Sequence, residues 1–391
     1  MKTDVAIDRA HPPATPPARQ PDPQPLHVLI VNSVLTGGGV DSQTLSQCQA
    51  LLGEGARVTL AISARSPWVA RARAITGLHL LVLDTPRWQW PLSLARLVQR
   101  EGVQVIHAHH GRDYWVAILA HWLSLQHGLV VVTRHLMTAM KAKTRRYLAP
   151  NADVVAVSDA VAARLRAGDP KGSLRLRRIY CGIDTQLFRP DDSGAGAMRA
   201  SLGLPPDAWV FAVVGAIHAP DGKGQFHFAR AAQQVLARHP DAYFVCAGWG
   251  EAVPELLAEA RALGLGDHFL HRPFGDDMAA LMQSIDVLVH PAVASEALGL
   301  VILEALSCGK PVIASRLDGI PETLAEGVNG LLVPPRDVDS LAQAMNRLAD
   351  DRALARRMGA QGRDWVVSRF SLACVGQQTL ALYREGLVAR S

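Results

Sequence analysis

Two glutamates define the chemistry open to this chain. Glu296 and Glu304 stand eight residues apart, on either side of a strand-to-helix junction. The run Asp286-Val287-Leu288-Val289-His290 reads as a strand that ends at Pro291. Gly299 opens a helix that passes Glu304 and Leu306 and stops at Cys308-Gly309-Lys310-Pro311. Pro311-Val312-Ile313-Ala314 reads as the next buried strand. In such a unit the loop lies at the carboxyl edge of a parallel sheet, and the helix amino terminus points into the crevice. The free amides of that first turn suit a phosphate, contributing about 0.3–1 kcal/mol through the helix dipole. Carboxylates at two depths beside one anion site fit a phosphorylated ligand that also carries sugar hydroxyls.

Other stretches supply cations and glycines. Lys223 lies in Gly215-Ala216-Ile217-His218-Ala219-Pro220-Asp221-Gly222-Lys223-Gly224, between a strand and a helix, where its ammonium can reach a diphosphate. Such a charge-assisted bond contributes roughly 1.5–3 kcal/mol. Arg134 and His135 end the strand-like run Leu129–Thr133. His107, His109 and His110 cluster after another strand; no cysteine or carboxylate completes a metal set there, and they read as cleft lining with His107 buried. Gly37-Gly38-Gly39 follows the first strand, but Ser42 stands where a dinucleotide fingerprint needs its third glycine. The second strand ends Ala61-Ile62-Ser63-Ala64-Arg65, without the acid that would hold a ribose, so nicotinamide binding is set aside. Asp337-Val338-Asp339 looks like a metal-binding pair, yet it opens a helix after Pro334-Pro335, where acids serve as caps. No metal site and no cofactor are expected.

The Glu-x7-Glu element, with Gly299-Leu300 inside it and Gly309-Lys310-Pro311-Val312 behind, resembles the family 4 retaining glycosyltransferases of GT-B fold. Ala247-Gly248-Trp249-Gly250, Ala152–Ser158 and Tyr180-Cys181-Gly182-Ile183-Asp184 resemble further family elements, with Cys181 replacing the usual asparagine. The resemblance implies a nucleotide-sugar donor held by Gly38, Gly39, Lys223, Glu296, Gly299, Leu300 and Glu304, with Glu296 on the transferred sugar and Glu304 on the ribose. It makes His135, Glu296 and Lys223 the catalytic candidates, with Arg134, Ala297 and Leu298 as further candidates. The family commonly has an arginine after Gly215, where this chain has Ala216, leaving Lys223 as the cation on the diphosphate. The implied reaction is metal-independent hexosyl transfer from a nucleotide sugar, UDP-linked by family frequency. The implied acceptor is a hydroxyl of an envelope glycan or glycolipid such as lipopolysaccharide core. A nucleotide-sugar epimerase of the same fold and a non-catalytic nucleotide-sugar binder are the alternatives.

The elements that must position these residues alternate strand and helix in two series, starting at Leu26 and at Trp209, which predicts mostly parallel sheets covered on both faces. With the resemblance, the expectation is α/β, GT-B: two doubly wound Rossmann-like domains facing across a cleft. The expected boundaries are a disordered proline-rich extension over 1–25, an acceptor domain over 26–185, a linker over 186–206, a nucleotide-sugar domain over 207–370, and a last helix over 371–391 crossing back to the first domain. The chain has 391 residues, 49% hydrophobic and 19% charged, a globular composition with a mild net charge of +5. No apolar run reaches the eighteen or so residues of a spanning helix, and the five scattered cysteines read as reduced thiols of a cytoplasmic protein. Met137–Tyr147 predicts a helix with Met137, Met140, Thr144 and Leu148 on one face and Lys141, Arg145 and Arg146 beside it, suited to an anionic membrane surface. Nucleic acid is not an expected partner.

Overall fold

The computed structural model describes residues 25–35, 37–219, 222–275 and 277–390. The proline-rich extension, apart from Pro25, lies outside the described residues, as do Thr36 of the glycine loop and Pro220 and Asp221 of the lysine loop. The first sheet has seven parallel strands: β1 His27–Asn32, β2 Arg57–Ser63, β3 His79–Leu83, β4 Val105–Ala108, β5 Leu129–Arg134, β6 Asp153–Ala156 and β7 Arg175–Arg178. Their order is β3-β2-β1-β4-β5-β6-β7. The second sheet has β8 Trp209–Val214, β9 Ala242–Ala247, β10 Phe269–Arg272, β11 Val287–His290, β12 Val312–Ser315 and β13 Gly330–Val333, in the order β10-β9-β8-β11-β12-β13. Strand order reverses once in each sheet, between β1 and β4 and between β8 and β11. Central strands are buried on both faces: Val28–Val31 and Val210–Val213 are 0% exposed. Continuous Val, Ile, Leu and Ala runs are what such two-sided burial requires.

Reversal of strand order opens a crevice at the carboxyl ends, where the flanking loops diverge. The loops after β1, β4 and β5 carry Gly38, Gly39, His109 and His135. Those after β8 and β11 carry Lys223 and Glu296. Two edges thus bring together residues scattered over the whole chain. The halves also touch: Glu322 accepts from the amides of Asp159 (2.6 Å) and Ala160 (2.8 Å), at the start of the helix Asp159–Ala167. The last helix, Leu372–Val388, lies against the helix Gly39–Gly53 and places Tyr383 Oη 2.6 Å from His107 Nδ1.

Two expectations need correction. Residues 186–206 contain a helix, Asp192–Ser201, packed on the helix Met278–Ser284 of the second half. Its Gly194 faces Gln283 closely: a Cβ there would stand 2.9 Å from the side-chain amide oxygen. One of the glycines that suggested a linker, Gly194, therefore lies at a close helix contact. The basic segment, in turn, begins its helix only at Ala142, with Lys141 extended. Arg134 donates to the carbonyl and hydroxyl of Thr138 (both 2.7 Å), tying the preceding residues into a loop, so Met137 and Met140 lie outside the helix.

Candidate active site

Lys223 and Glu296 meet from loops seventy-three residues apart: Lys223 Nζ donates to Glu296 Oε2 at 2.5 Å. His290 Nε2 lies 3.2 Å from the same oxygen. A carboxylate only accepts, so Nε2 carries the proton of His290. Two glycines make the meeting sterically feasible. Gly215, at φ 152°, follows β8, and a Cβ there would stand 2.6 Å from Lys223 Cγ, so the lysine stem crosses bare backbone. Gly224, at φ 81°, lies so close to the loop after β11 that a Cβ would stand 1.9 Å from the Pro291 carbonyl oxygen. Glu296 is held from below as well: its amide donates to Asp318 Oδ2 (3.1 Å) and its carbonyl accepts from the Gly319 amide (3.1 Å).

The electrostatics follow from this cage. Burial alone would raise the Glu296 carboxyl, but the His290 hydrogen bond and the Lys223 charge overcome it and hold the group at about 2. Glu296 is ionised throughout the physiological range and does not act as a proton donor. Glu304 is its opposite. It lies inside the helix Leu300–Ser307, among the described residues no hydrogen bond reaches its carboxyl, and burial drives it up to about 7. Gly299, at φ 90°, caps that helix, and Leu300 Cδ1 would stand 3.3 Å from a Cβ on Gly39, so the glycine loop of the first half abuts the glutamate helix of the second. Gly38, at φ 115°, caps the helix Gly39–Gly53. Leu298 is buried and Ala297 half-buried.

His135 stands on the first half with its Nε2 3.3 Å from His109 Nδ1. Burial first, and then His109, His110 and Arg134, push its pKa well below the ordinary 6.5, so the ring is neutral and works as a hydrogen-bonding group. His107 is locked between Tyr383 Oη (2.6 Å) and Thr133 Oγ1 (2.7 Å) and lowered to about 3, chiefly by burial. It is a core residue. His135, His109, Tyr180 and Cys181 line one small cavity. The Cys181 thiol there is raised to about 12 by burial and then by the charge of Glu296, which ties this cavity to the opposite half. Asp337 caps the helix Val338–Asp350 by accepting from the Ser340 amide at 2.9 Å.

Sequence reading missed two residues of this constellation. His290 is 1% exposed and grips Glu296; its only signal is a histidine ending a strand ahead of Pro291. Asp318, at φ 45°, positions the Glu296 amide from a loop with no motif. His109, which the sequence places as cleft lining, does line the small cavity and also stands beside His135.

Comparison with known proteins gives the family. Residues 37–187 match the model described as Glycosyltransferase Family 4, and residues 196–365 that described as Glycosyl transferases group 1. A D-inositol 3-phosphate glycosyltransferase of Kribbella flavida is 32% identical, covering 72% of this chain and 70% of that protein. A GDP-mannose-dependent phosphatidylinositol monomannoside mannosyltransferase of Mycolicibacterium smegmatis is 32% identical over 51% of this chain and 53% of its own. Among solved structures, Anabaena HepE in complex with UDP-glucose superposes with a TM-score of 0.77 at 21% identity, over 92% of this chain and all of that one. The two facing parallel sheets are those of the GT-B fold, and the chain belongs to the family 4 glycosyltransferases.

Proposed function

We propose that the chain transfers a hexose from a nucleotide sugar, UDP-linked, to an acceptor hydroxyl with retention at the anomeric carbon and without a metal. The observation that carries this reading is Glu304: a half-buried carboxyl with no hydrogen bond from the described residues, one helix turn behind a glycine-capped amino terminus. A vicinal diol such as a ribose would supply two donors to it, while the helix amides face the diphosphate. Lys223 stands beside that site and stabilises the departing diphosphate, the electrostatic work glycosyl transfer most needs. Glu296 is already engaged by Lys223 and His290, which makes it a poor nucleophile and a good acceptor for sugar hydroxyls. Front-face attack, with the departing diphosphate taking the acceptor's proton, fits these roles better than double displacement.

The relatives are named for inositol phosphate and phosphatidylinositol mannoside rather than lipopolysaccharide core. The proposed acceptor is accordingly the broader class of polyol, glycan and glycolipid hydroxyls. A panel of UDP- and GDP-hexoses tests the reading: one UDP-hexose should be slowly hydrolysed and, with acceptor, give a product of unchanged anomeric configuration by NMR. Conversion to an isomeric nucleotide sugar without acceptor would instead establish an epimerase.

Peripheral attachment to an anionic bilayer is the proposed location. Among the described residues no helix is long and apolar enough to cross a membrane. Trp122, Leu123 and Leu125 are 49%, 50% and 87% exposed, and Trp122 packs edge-on to Tyr147 (6.1 Å) of the basic helix Ala142–Asn151. Lys141, Lys143 and Arg146 are exposed beside it, whereas Arg145 faces Asp169 at 3.7 Å. Each free cation contributes about 1 kcal/mol at an anionic surface. Vesicles containing an anionic lipid should capture the protein and neutral vesicles should not. Reversing Lys141, Lys143 and Arg146 to glutamate should abolish capture, with donor binding intact; equal capture after reversal would refute the attachment.

A further inference from the structure

Both side-chain partners of Glu296 bind the same oxygen. Lys223 Nζ lies 2.5 Å and His290 Nε2 3.2 Å from Oε2, whereas among the described residues no hydrogen bond reaches Oε1. The two partners differ in what holds them. Lys223 carries its ammonium on a flexible four-carbon stem, and its side chain is 33% exposed. His290 ends β11, its side chain is 1% exposed, and its Nδ1 is buried without a hydrogen-bond partner. The loop that follows is fixed against the lysine loop: the Val293 amide donates to the Gly222 carbonyl at 3.2 Å, and Gly224 lies against the Pro291 carbonyl. The ammonium is free to follow a ligand in the crevice, and the ring is not.

That difference matters once the ammonium is drawn away. The Glu296 side chain is 14% exposed, and breaking so enclosed a pair is costly because the remaining charge stays uncompensated. Were Lys223 the sole donor on Oε2, that cost would be subtracted from its attraction to a diphosphate. His290 supplies a donor that stays, and a hydrogen bond to an ionised acceptor is among the stronger kinds. Among the described residues, Lys223 and His290 are the charged or titratable groups bonded to this carboxylate. Asp318 holds the Glu296 amide instead, and the Cys181 thiol nearby is raised to about 12 by burial and then by the Glu296 charge, so it stays neutral.

We propose that His290 is a positioning residue for sugar transfer: it holds Oε2 of Glu296 while Lys223 turns from that oxygen to the diphosphate, and so leaves Oε1 for a hydroxyl of the donor sugar. The inference rests on the donor reading above for the diphosphate and the sugar; the hold of His290 on Glu296 is tested without ligand. Titration calorimetry with UDP reads the first part. His290→Phe keeps a ring and removes the donor, so UDP affinity should fall about tenfold. His290→Gln, whose amide nitrogen takes the place of Nε2, should recover most of it. In Lys223→Ala no ammonium is left to release, so adding His290→Phe should not weaken UDP binding further. A merely structural role would weaken binding alike in both backgrounds and would not be rescued. Thermal unfolding without ligand reads the second part. Lys223→Ala leaves the carboxylate to His290, and adding His290→Phe strips it of both partners. Burial then raises the group above its ordinary 4.5, so the folded state keeps a proton that the unfolded chain has released, and stability is lost as pH rises. The added substitution should therefore lower the unfolding midpoint more at pH 7 than at pH 4.5. Unchanged UDP affinity in His290→Phe, equal weakening with and without Lys223, or the same midpoint shift at both pH values would overturn the proposal. Failure of the unaltered protein to bind UDP would instead refute the donor reading, and the midpoint comparison would still decide whether His290 holds Glu296.

Discussion

Glu304→Gln should make the protein more stable and a worse nucleotide binder at the same time. Burial raises the Glu304 carboxyl from its ordinary 4.5 to about 7. Between those values the folded state keeps a proton that the unfolded chain has released. Stability therefore falls as pH rises through that window, and the loss is complete above about 7. Glutamine cannot ionise and escapes the loss. Discounted for partial exposure, the variant should gain about 1–3 kcal/mol at pH 8 without nucleotide and nearly nothing at pH 4.5. Thermal denaturation at the two pH values measures this. Donor hydroxyls, in contrast, prefer the ionised carboxylate. Affinity for UDP-glucose, whose diphosphate has no proton to lose in this range, should rise from pH 5 to about 7 and then level off. The variant should show a flat profile and at pH 8 bind about tenfold to a hundredfold more weakly. A variant that matches the unaltered protein in affinity at pH 8 would remove Glu304 from the nucleotide site.

That such a group can be found from sequence at all depends on which physics is local. Glu296 and Glu304 were legible because both lie in one strand-loop-helix unit, whose geometry chain order dictates. The sheets were legible for a similar reason: strands buried on both faces are continuous apolar runs. β7 shows the limit. Arg175-Leu176-Arg177-Arg178 is an edge strand with three exposed arginines, and it has neither an apolar run nor an alternating pattern to announce it. The helix Asp192–Ser201 was hidden because Gly194 and Gly196 mark turns in most contexts, and only the helix packed against it reveals what Gly194 is for. The site fails to show itself in the same way. Nothing local says that His290 will share an oxygen with Lys223 from another loop, or that His109 will stand beside His135. These are consequences of sheet order, which brings together strand ends far apart in the chain.

Lys223→Ala should cost the most activity, and the pairing with Glu296 determines how the loss divides. In the proposed reading the ammonium has two tasks, to meet the leaving diphosphate and to neutralise Glu296. Removing a preorganised group that stabilises developing charge typically lowers turnover about 10²–10³-fold. A loss mainly in kcat is expected, since the charge on the leaving group grows in the transition state, and chelator should leave the remaining and the unaltered activities unchanged. Abolition by chelator with rescue by manganese would refute metal independence. The second task predicts a separate signature. At about 2, against 4.5 in the unfolded chain, Glu296 contributes stability that is fully present above pH 4.5 and lost as pH falls toward 2. Without Lys223 the carboxylate keeps only His290, its pKa climbs, and acid unfolding should begin at higher pH. Lys223→Arg should restore the acid stability, because it returns a cation to Glu296. It should restore turnover only in part, because the planar guanidinium spreads its charge over three nitrogens and does not place a compact ammonium where Nζ stands. Full recovery of turnover in Lys223→Arg would show that charge alone, and not the position of the ammonium over Gly215, is what the reaction needs.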